Sequence, residues 1–340
     1  MRADAGLGAL PAAPAGPRWV GFVLVAFGIV ILLLFAATTN VRQLTDALRS
    51  VRPGLLVIAA MVVAMQMVVR GLRWQYMVRR LTGTAISMRF AVMSILAGIA
   101  AGSVVPARTF ELAKPMLLKG SYGTSLGTSA SAMIVERMLD ILPVIGVLMA
   151  AALLLPHRVA AVTRLLPVFI LLFVAGCAFV VAAPLRVRGW IAAALRRIPG
   201  PAGARARLLA LSDTLFESVL LWRQGRTLGV LLSLTGLSTA LDLTRICAVF
   251  WGMGVTLPVP ILLFTYLGAM VLGMALLIPG GVGVTEVSQA GLIALLAPGV
   301  MPSGLVRSAV LADRFLSYYL VLLTGAALLV CYHRYRHVFR

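Results

Sequence analysis

The chain has 340 residues, of which 61% are hydrophobic and 12% charged, against about 45–50% and about 25% in ordinary soluble domains. With a mean hydropathy of +1.03, it is excluded from the soluble globular enzymes and from disordered chains; lipid must solvate much of its surface. The formal charge is +20, from 30 Lys+Arg against 10 Asp+Glu. Basic cytoplasmic loops facing anionic lipid head groups account for this excess, and no nucleic-acid partner is expected.

In chain order, residues 1–17 are mostly Ala, Gly and Pro and read as a flexible N-terminal tail. A first transmembrane half follows over 18–185, with apolar runs at 19–38, 53–69, 124–155 and 165–183. The first run is longer than the core of a cleaved signal, about 7–15 residues, and is expected to be retained. Between the second and third runs lies an interrupted hairpin, 88–121, preceded by a basic stretch with Arg70, Arg73, Arg79, Arg80 and Arg89. Residues 186–226 form a basic cytoplasmic linker. Within it Leu208, Leu211, Leu215, Val219 and Trp222 recur at helical spacing, which predicts an interfacial amphipathic helix. The second half, 227–340, has runs at 228–250 and 306–331 around a second hairpin, 261–297. The expected fold is an all-α polytopic integral membrane protein with about six full spans and two re-entrant or broken helical hairpins.

With the N-terminus in the cytoplasm, the inner segments carry 21 Lys+Arg and the outer segments six; Arg137, Arg245 and Arg314 lie inside spans. The positive-inside rule supports this orientation, with both termini cytoplasmic. Cys177, Cys247 and Cys331 are scattered through apolar runs, and His157, His333 and His337 fall in loops or the tail. No metal site, disulfide framework or cofactor is indicated, and no nucleotide-binding motif is present to drive transport.

Two segments resemble each other. GIAAGSVVPARTFE is followed by IVERMLDILPVIGVLMAAAL, and GMALLIPGGVGVTE by VLADRFLSYYLVLLTGAAL. Each begins with small residues, breaks at a proline, reaches a Glu, and later carries an acid–Arg pair inside a span: Glu136-Arg137 and Asp313-Arg314. In the orientation above the halves run in opposite directions. The pattern therefore predicts an inverted repeat, the architecture of alternating access.

Six of the ten acids lie in or beside apolar runs: Glu111, Glu136, Asp140, Asp242, Glu286 and Asp313. A charge at the bilayer centre costs roughly 2.5–3.5 kcal/mol on insertion scales, so these groups must pair or face a cavity. Arg108 lies three residues before Glu111, while Glu136 and Asp140 share a helix face with Arg137 about 100° away. A polar cavity lined by both signs could hold a zwitterionic or anionic head group, with arginine matching phosphate bidentately. Asp242 and Arg245, without a repeat counterpart, read as a structural pair. In PGGVGVTE, Pro279, Gly280 and Gly281 end one helix and Gly283 permits a tight return. A helix beginning near Val284 would aim free N–H groups at the site, with Glu286 in its first turn.

On PARTFE (106–111), ERMLD (136–140), PGGVGVTE (279–286) and ADR (312–314) the chain resembles the flippase-like integral membrane family that includes the transmembrane region of lysylphosphatidylglycerol synthases. The first motif departs from the family pattern, with Phe110 where Gly is usual and Lys114 where Arg is common. The resemblance implies a plasma-membrane protein that moves lipid between leaflets. Aminoacyl-phospholipids, polyprenyl-linked sugars and hopanoids are the lipids linked to the family. Aminoacyl transfer belongs to a separate soluble domain in bifunctional members, and the longest polar segment here, about 43 residues (184–226), is too short for one.

The expected function is therefore lipid translocation without chemistry. The candidate substrate-binding residues are Arg108, Glu111, Glu136, Arg137, Asp140, Gly280, Gly281, Gly283, Glu286, Asp313 and Arg314. Membrane lipid is the expected substrate and anionic head groups the expected partners of the loops; a separate lipid-modifying enzyme is a further candidate partner. The competing readings are an ion-coupled transporter of a small solute and a membrane-embedded transferase on lipid-linked sugars.

Overall fold

The computed structural model describes residues 29–34, 51–102, 113–155, 184–197, 224–276 and 279–334, with isolated positions 171, 175, 203, 205, 206, 209, 213 and 216. The candidates Arg108 and Glu111, the apolar stripe 208–222, and most of the runs 19–38 and 165–183 lie outside the described residues. All regular structure among the described residues is helical.

Helix α1 (Pro53–Thr82) starts with proline in its first turn, where its missing N–H costs nothing. It ends at Gly83, whose φ of 70° lets its N–H return to the Arg79 carbonyl. The helix thus runs thirteen residues beyond the expected span 53–69. It carries Arg70, Arg73, Arg79 and Arg80 within helical structure rather than in a cytoplasmic loop. Its two faces are inverted relative to a soluble helix. Val57, Met61, Met65, Val68 and Leu72 are exposed, whereas Gln66 and Arg73 are buried. An exposed apolar stripe at helical spacing is what lipid solvates.

Helices α2 (Met88–Gly102), α3 (Ala113–Tyr122) and α4 (Leu126–Leu153) follow; Ser125 caps α4 by accepting the Thr128 N–H at 3.1 Å. Helix α5 (Pro184–Arg197) lies in the linker and ties Arg188 to Asp213 at 2.8 Å. The second half contains α6 (Gly225–Gly252), α7 (Val259–Ala275), a single 3₁₀ turn at Pro279–Gly281, and α8 (Val284–Leu296). It closes with a continuous run of α9 (Ser303–Arg314), a π turn (Phe315–Tyr319) and α10 (Leu320–Arg334). Three helices among the described residues are long and apolar enough to cross a membrane: α1, α6 and the run Ser303–Cys331. The chain is a multi-pass helical membrane protein.

The order of elements occurs twice. A long helix, a short helix, a break, a short helix and a second long helix appear as α1 to α4 and again as α6 to α10. Arg73 stands 20 residues after the first residue of α1, and Arg245 stands 20 after the first of α6. Glu136 stands ten after the first residue of α4, and Asp313 ten after the first of α9.

Helices α1 and α6 pack along their length and run antiparallel. The Arg52 N–H donates to the Gly252 carbonyl at 2.8 Å, Gln66 to the Ser238 carbonyl at 3.1 Å, and Arg73 to the Thr235 hydroxyl at 2.9 Å. Further contacts also cross between the halves: α2 packs on α10, and α7 packs on α4. Two apolar cores result, and both draw on both halves. One gathers Trp74, Phe90, Leu118 and Leu139 with Val321; the other gathers Leu148 with Ile246, Leu262, Ile293 and Val310.

Candidate functional site

On α1, Gln66, Arg70 and Arg73 recur at helical spacing and face α6. Arg73 is the deepest, only 1% exposed. Its Nη2 donates to Glu136 Oε1 at 2.8 Å, and its Nη1 to Asp140 Oδ1 at 2.5 Å and to Thr235. The i,i+4 spacing of Glu136 and Asp140 on α4 lets one guanidinium reach both carboxylates. Lys114, on α3, approaches from the other side: Nζ lies 3.0 Å from Glu136 Oε2 and 5.3 Å from the Trp74 ring centroid. Its aliphatic arm passes over Gly98, where a Cβ would come within 3.2 Å. Arg137 points elsewhere, as its helix position requires. Its side chain is 43% exposed and pairs with Asp140 at 3.4 Å.

The second network centres on Arg245 of α6, which is fully buried. It is paired with Asp313 of α9, donates to Asp242 at 3.0 Å, and donates to the Tyr266 hydroxyl at 2.9 Å. That hydroxyl donates on to Asp242 at 2.8 Å. The local Asp242–Arg245 pair is present, and Arg245 has a further acid partner on another helix. Arg245 reaches Asp313 as Arg73 reaches Glu136, from a partner helix and not through local spacing.

A second arginine completes this side. Nε of Arg314 donates to Glu286 Oε1 at 2.8 Å, and Nη2 donates to the Gly280 carbonyl at 3.0 Å. The Tyr319 hydroxyl also donates to Glu286 Oε1, at 2.7 Å, and the Tyr318 ring centroid lies 4.5 Å from the guanidinium. The π turn directly after Arg314 places both tyrosines there. Gly280 (φ 65°), Gly281 (φ 64°) and Gly283 (φ 79°) all adopt left-handed backbone, so α8 begins at Val284 as the motif predicts. At Gly280 an added Cβ would collide with the Tyr318 hydroxyl.

The structure therefore brings Glu136, Arg137 and Asp140 together in one network and Gly280, Glu286, Asp313 and Arg314 in another. The described residues form two ion-pair networks. Arg73 contacts Thr235, ten residues from Arg245 on α6, so the networks lie about 15 Å apart along that helix at 1.5 Å per residue. A cavity of about 420 Å³ reaches Arg307 and is otherwise lined largely by apolar residues of α8 and the α8–α9 turn. Another, of about 340 Å³, lies beside Gln75, Tyr76 and Arg79. Neither is lined by a predicted site residue. Each buried charge is held by its neighbours, which offsets the cost of placing it at membrane depth.

Sequence reasoning missed Arg73, Tyr266, Gln289, Tyr318 and Tyr319, and used Lys114 only as a departure from a motif. The common offset of Arg73 and Arg245 within their helices was the available signal. A family model described as the lysylphosphatidylglycerol synthase TM region matches residues 18–325. A UPF0104 membrane protein of Methanothermobacter thermautotrophicus is 26% identical over 318 residues, covering 92% of this chain and 93% of that protein.

Proposed function

Because the chain belongs to the family of lysylphosphatidylglycerol synthase transmembrane regions, we propose that it moves a phospholipid or related lipid between leaflets by alternating access, without chemistry. The observation that carries this reading is the antiparallel α1–α6 pair. Each helix holds a buried arginine at the same offset, paired with an acid at the same offset in a later helix. Corresponding helices that run antiparallel side by side are related by an axis in the membrane plane, the symmetry of an inverted repeat. Exchanging the conformations of the halves would open first one network and then the other.

A phosphate can replace a carboxylate on a guanidinium with little loss, since both accept its paired N–H groups. Arg73 and Arg314 are then the two head-group stations, reached when Glu136 or Glu286 gives way. The acyl chains stay in lipid beside exposed apolar flanks such as Val57, Met61 and Met65. The protein sits in the plasma membrane with both termini cytoplasmic, and its basic linker faces anionic head groups.

Reconstitution into vesicles carrying head-group-labelled lipids tests this. Transfer is expected in the wild type, at least about tenfold slower in Arg73→Gln and in Arg314→Gln, equivalent to about 1.4 kcal/mol of barrier. Unchanged transfer in both folded variants would overturn the assignment.

A further inference from the structure

Glu136 of α4 and Glu286 of α8 are both buried and each is paired with an arginine, but they are satisfied differently. Glu136 uses both oxygens, one on Arg73 and one on Lys114. Glu286 receives both of its donors, Arg314 and Tyr319, on Oε1. Its Oε2 is buried and bare. One helical turn along α8 and on the same face stands Gln289, fully buried, with neither amide atom paired. A buried carboxylate oxygen and a buried amide without partners each cost on the order of 1–3 kcal/mol, and native interiors rarely tolerate them together.

We propose that Glu286 and Gln289 form a site for one monovalent cation, a proton or sodium, held between Glu286 Oε2 and Gln289 Oε1. Either cation supplies the positive partner that Lys114 supplies to Glu136. Sodium would take the two oxygens as hard ligands. A proton would sit on Oε2 and be donated to the amide oxygen. The surroundings favour a small occupant: Glu286 and Gln289 are both fully buried, and neither residue lines the cavities beside Arg79 or Arg307. The groups facing the site are Arg314 at the end of α9 and Tyr318 and Tyr319 of the π turn. Beyond them lie Asp313, Arg245, Asp242 and Tyr266, with Arg70 of α1 on the far side of Ser238. Tyr319 and Arg314 join the site to the π turn and to Gly280, so cation release loosens the contacts that hold the α8 entrance shut. The inference deepens the transport reading by naming its coupling ion, but its test needs no transported lipid.

The purified full-length protein is unfolded thermally in sodium chloride and in choline chloride at matched ionic strength, each across a pH series. A cation that binds only the folded protein raises Tm with its concentration. A rise with sodium at fixed pH identifies sodium. A rise with acidity that ignores sodium, together with an infrared carbonyl band of a protonated carboxyl lost in Glu286→Gln, identifies a proton. Gln289→Leu should fold and should blunt either response, which keeps the test intact where Glu286→Gln expresses poorly. No dependence on either cation, or the same dependence in Gln289→Leu as in the wild type, overturns the proposal. Normal lipid transfer with no cation response would overturn this site and leave the transport reading standing; a cation response without lipid transfer would do the reverse.

Discussion

The two halves bury similar charges and secure them to different degrees. In the first, Glu136 lies between two cations, and Arg73 joins two acids and a hydroxyl. In the second, Arg245 is similarly enclosed, but Glu286 has one cation, two donors on a single oxygen, and an unpaired amide beside it. Glycines mark the same contrast. Gly98 makes room for a flexible lysine arm, whereas Gly280 lies against the Tyr318 hydroxyl with no space to spare. One half is built as a closed clasp and the other as a latch. On the transport reading proposed above, asymmetry of this kind gives the protein a side on which coupling can act.

The largest test of this contrast neutralises the two glutamates in turn. Glu136→Gln leaves Arg73 and Lys114 buried around an uncharged amide. Breaking a buried pair costs about 3–5 kcal/mol, so a sharp fall in folded yield and in Tm is expected. Glu286→Gln removes one partner from Arg314, which keeps the Gly280 carbonyl and the Tyr318 face. Its expected cost is smaller, about 1–3 kcal/mol. Equal losses in parallel thermal melts would erase the distinction between clasp and latch.

Gly280→Ala ranks next. The residue has a left-handed φ of 65°, and its new methyl would meet the Tyr318 hydroxyl. The conformational penalty is about 1–2 kcal/mol, and relieving the clash must move the ring away from Arg314. Lipid transfer should fall more than Tm does. Truncating the ring in the double variant Gly280→Ala/Tyr318→Ala should recover part of the stability, leaving the backbone penalty behind. A single variant as stable and active as the wild type would show that the entrance to α8 is looser than the packing implies.

Much of this contrast was hidden in the sequence for physical reasons. Apolar runs revealed the long helices, and PGGVGVTE revealed both the break and the start of α8 at Val284, because glycine and proline act locally. Arg73 was concealed by its company: with Arg70, Arg79 and Arg80 it reads as a basic loop, and only its register with Gln66 on the α6-facing side places it inside. Asp242 and Arg245 advertise themselves as an i,i+3 pair, yet the partner that ties Arg245 to α9, Asp313, is 68 residues away. Gln289 carries no charge and no motif. Its meaning comes only from the absence of any partner for a buried amide.

A smaller effect is expected at Tyr319. Tyr319→Phe removes one of the two donors on Glu286 Oε1 without disturbing Arg314. A hydrogen bond to a charged acceptor contributes about 1.5–3 kcal/mol when buried; the half-open setting here puts the expected loss near the lower end. The cation response of the wild-type protein should shift, because the carboxylate then has a single donor and holds a cation more tightly. An unshifted midpoint in the sodium or pH series would separate Tyr319 from the latch.

The smallest expected effect belongs to Gly98→Ala. The added methyl would approach Cγ and Cε of Lys114 to 3.2 Å, a few tenths of an ångström closer than comfortable van der Waals contact. Alanine is also the better helix former, by about 0.8–1.0 kcal/mol, and Gly98 lies inside α2 in ordinary helical backbone. The two terms oppose one another. The lysine arm has several rotatable bonds and can yield, while Nζ stays anchored by Glu136 and by the Trp74 face. Net stability should therefore change by less than about 1 kcal/mol, and lipid transfer should persist. A large destabilisation would mean that the lysine cannot adjust, making the clasp as rigid as the glycine–tyrosine contact of the other half.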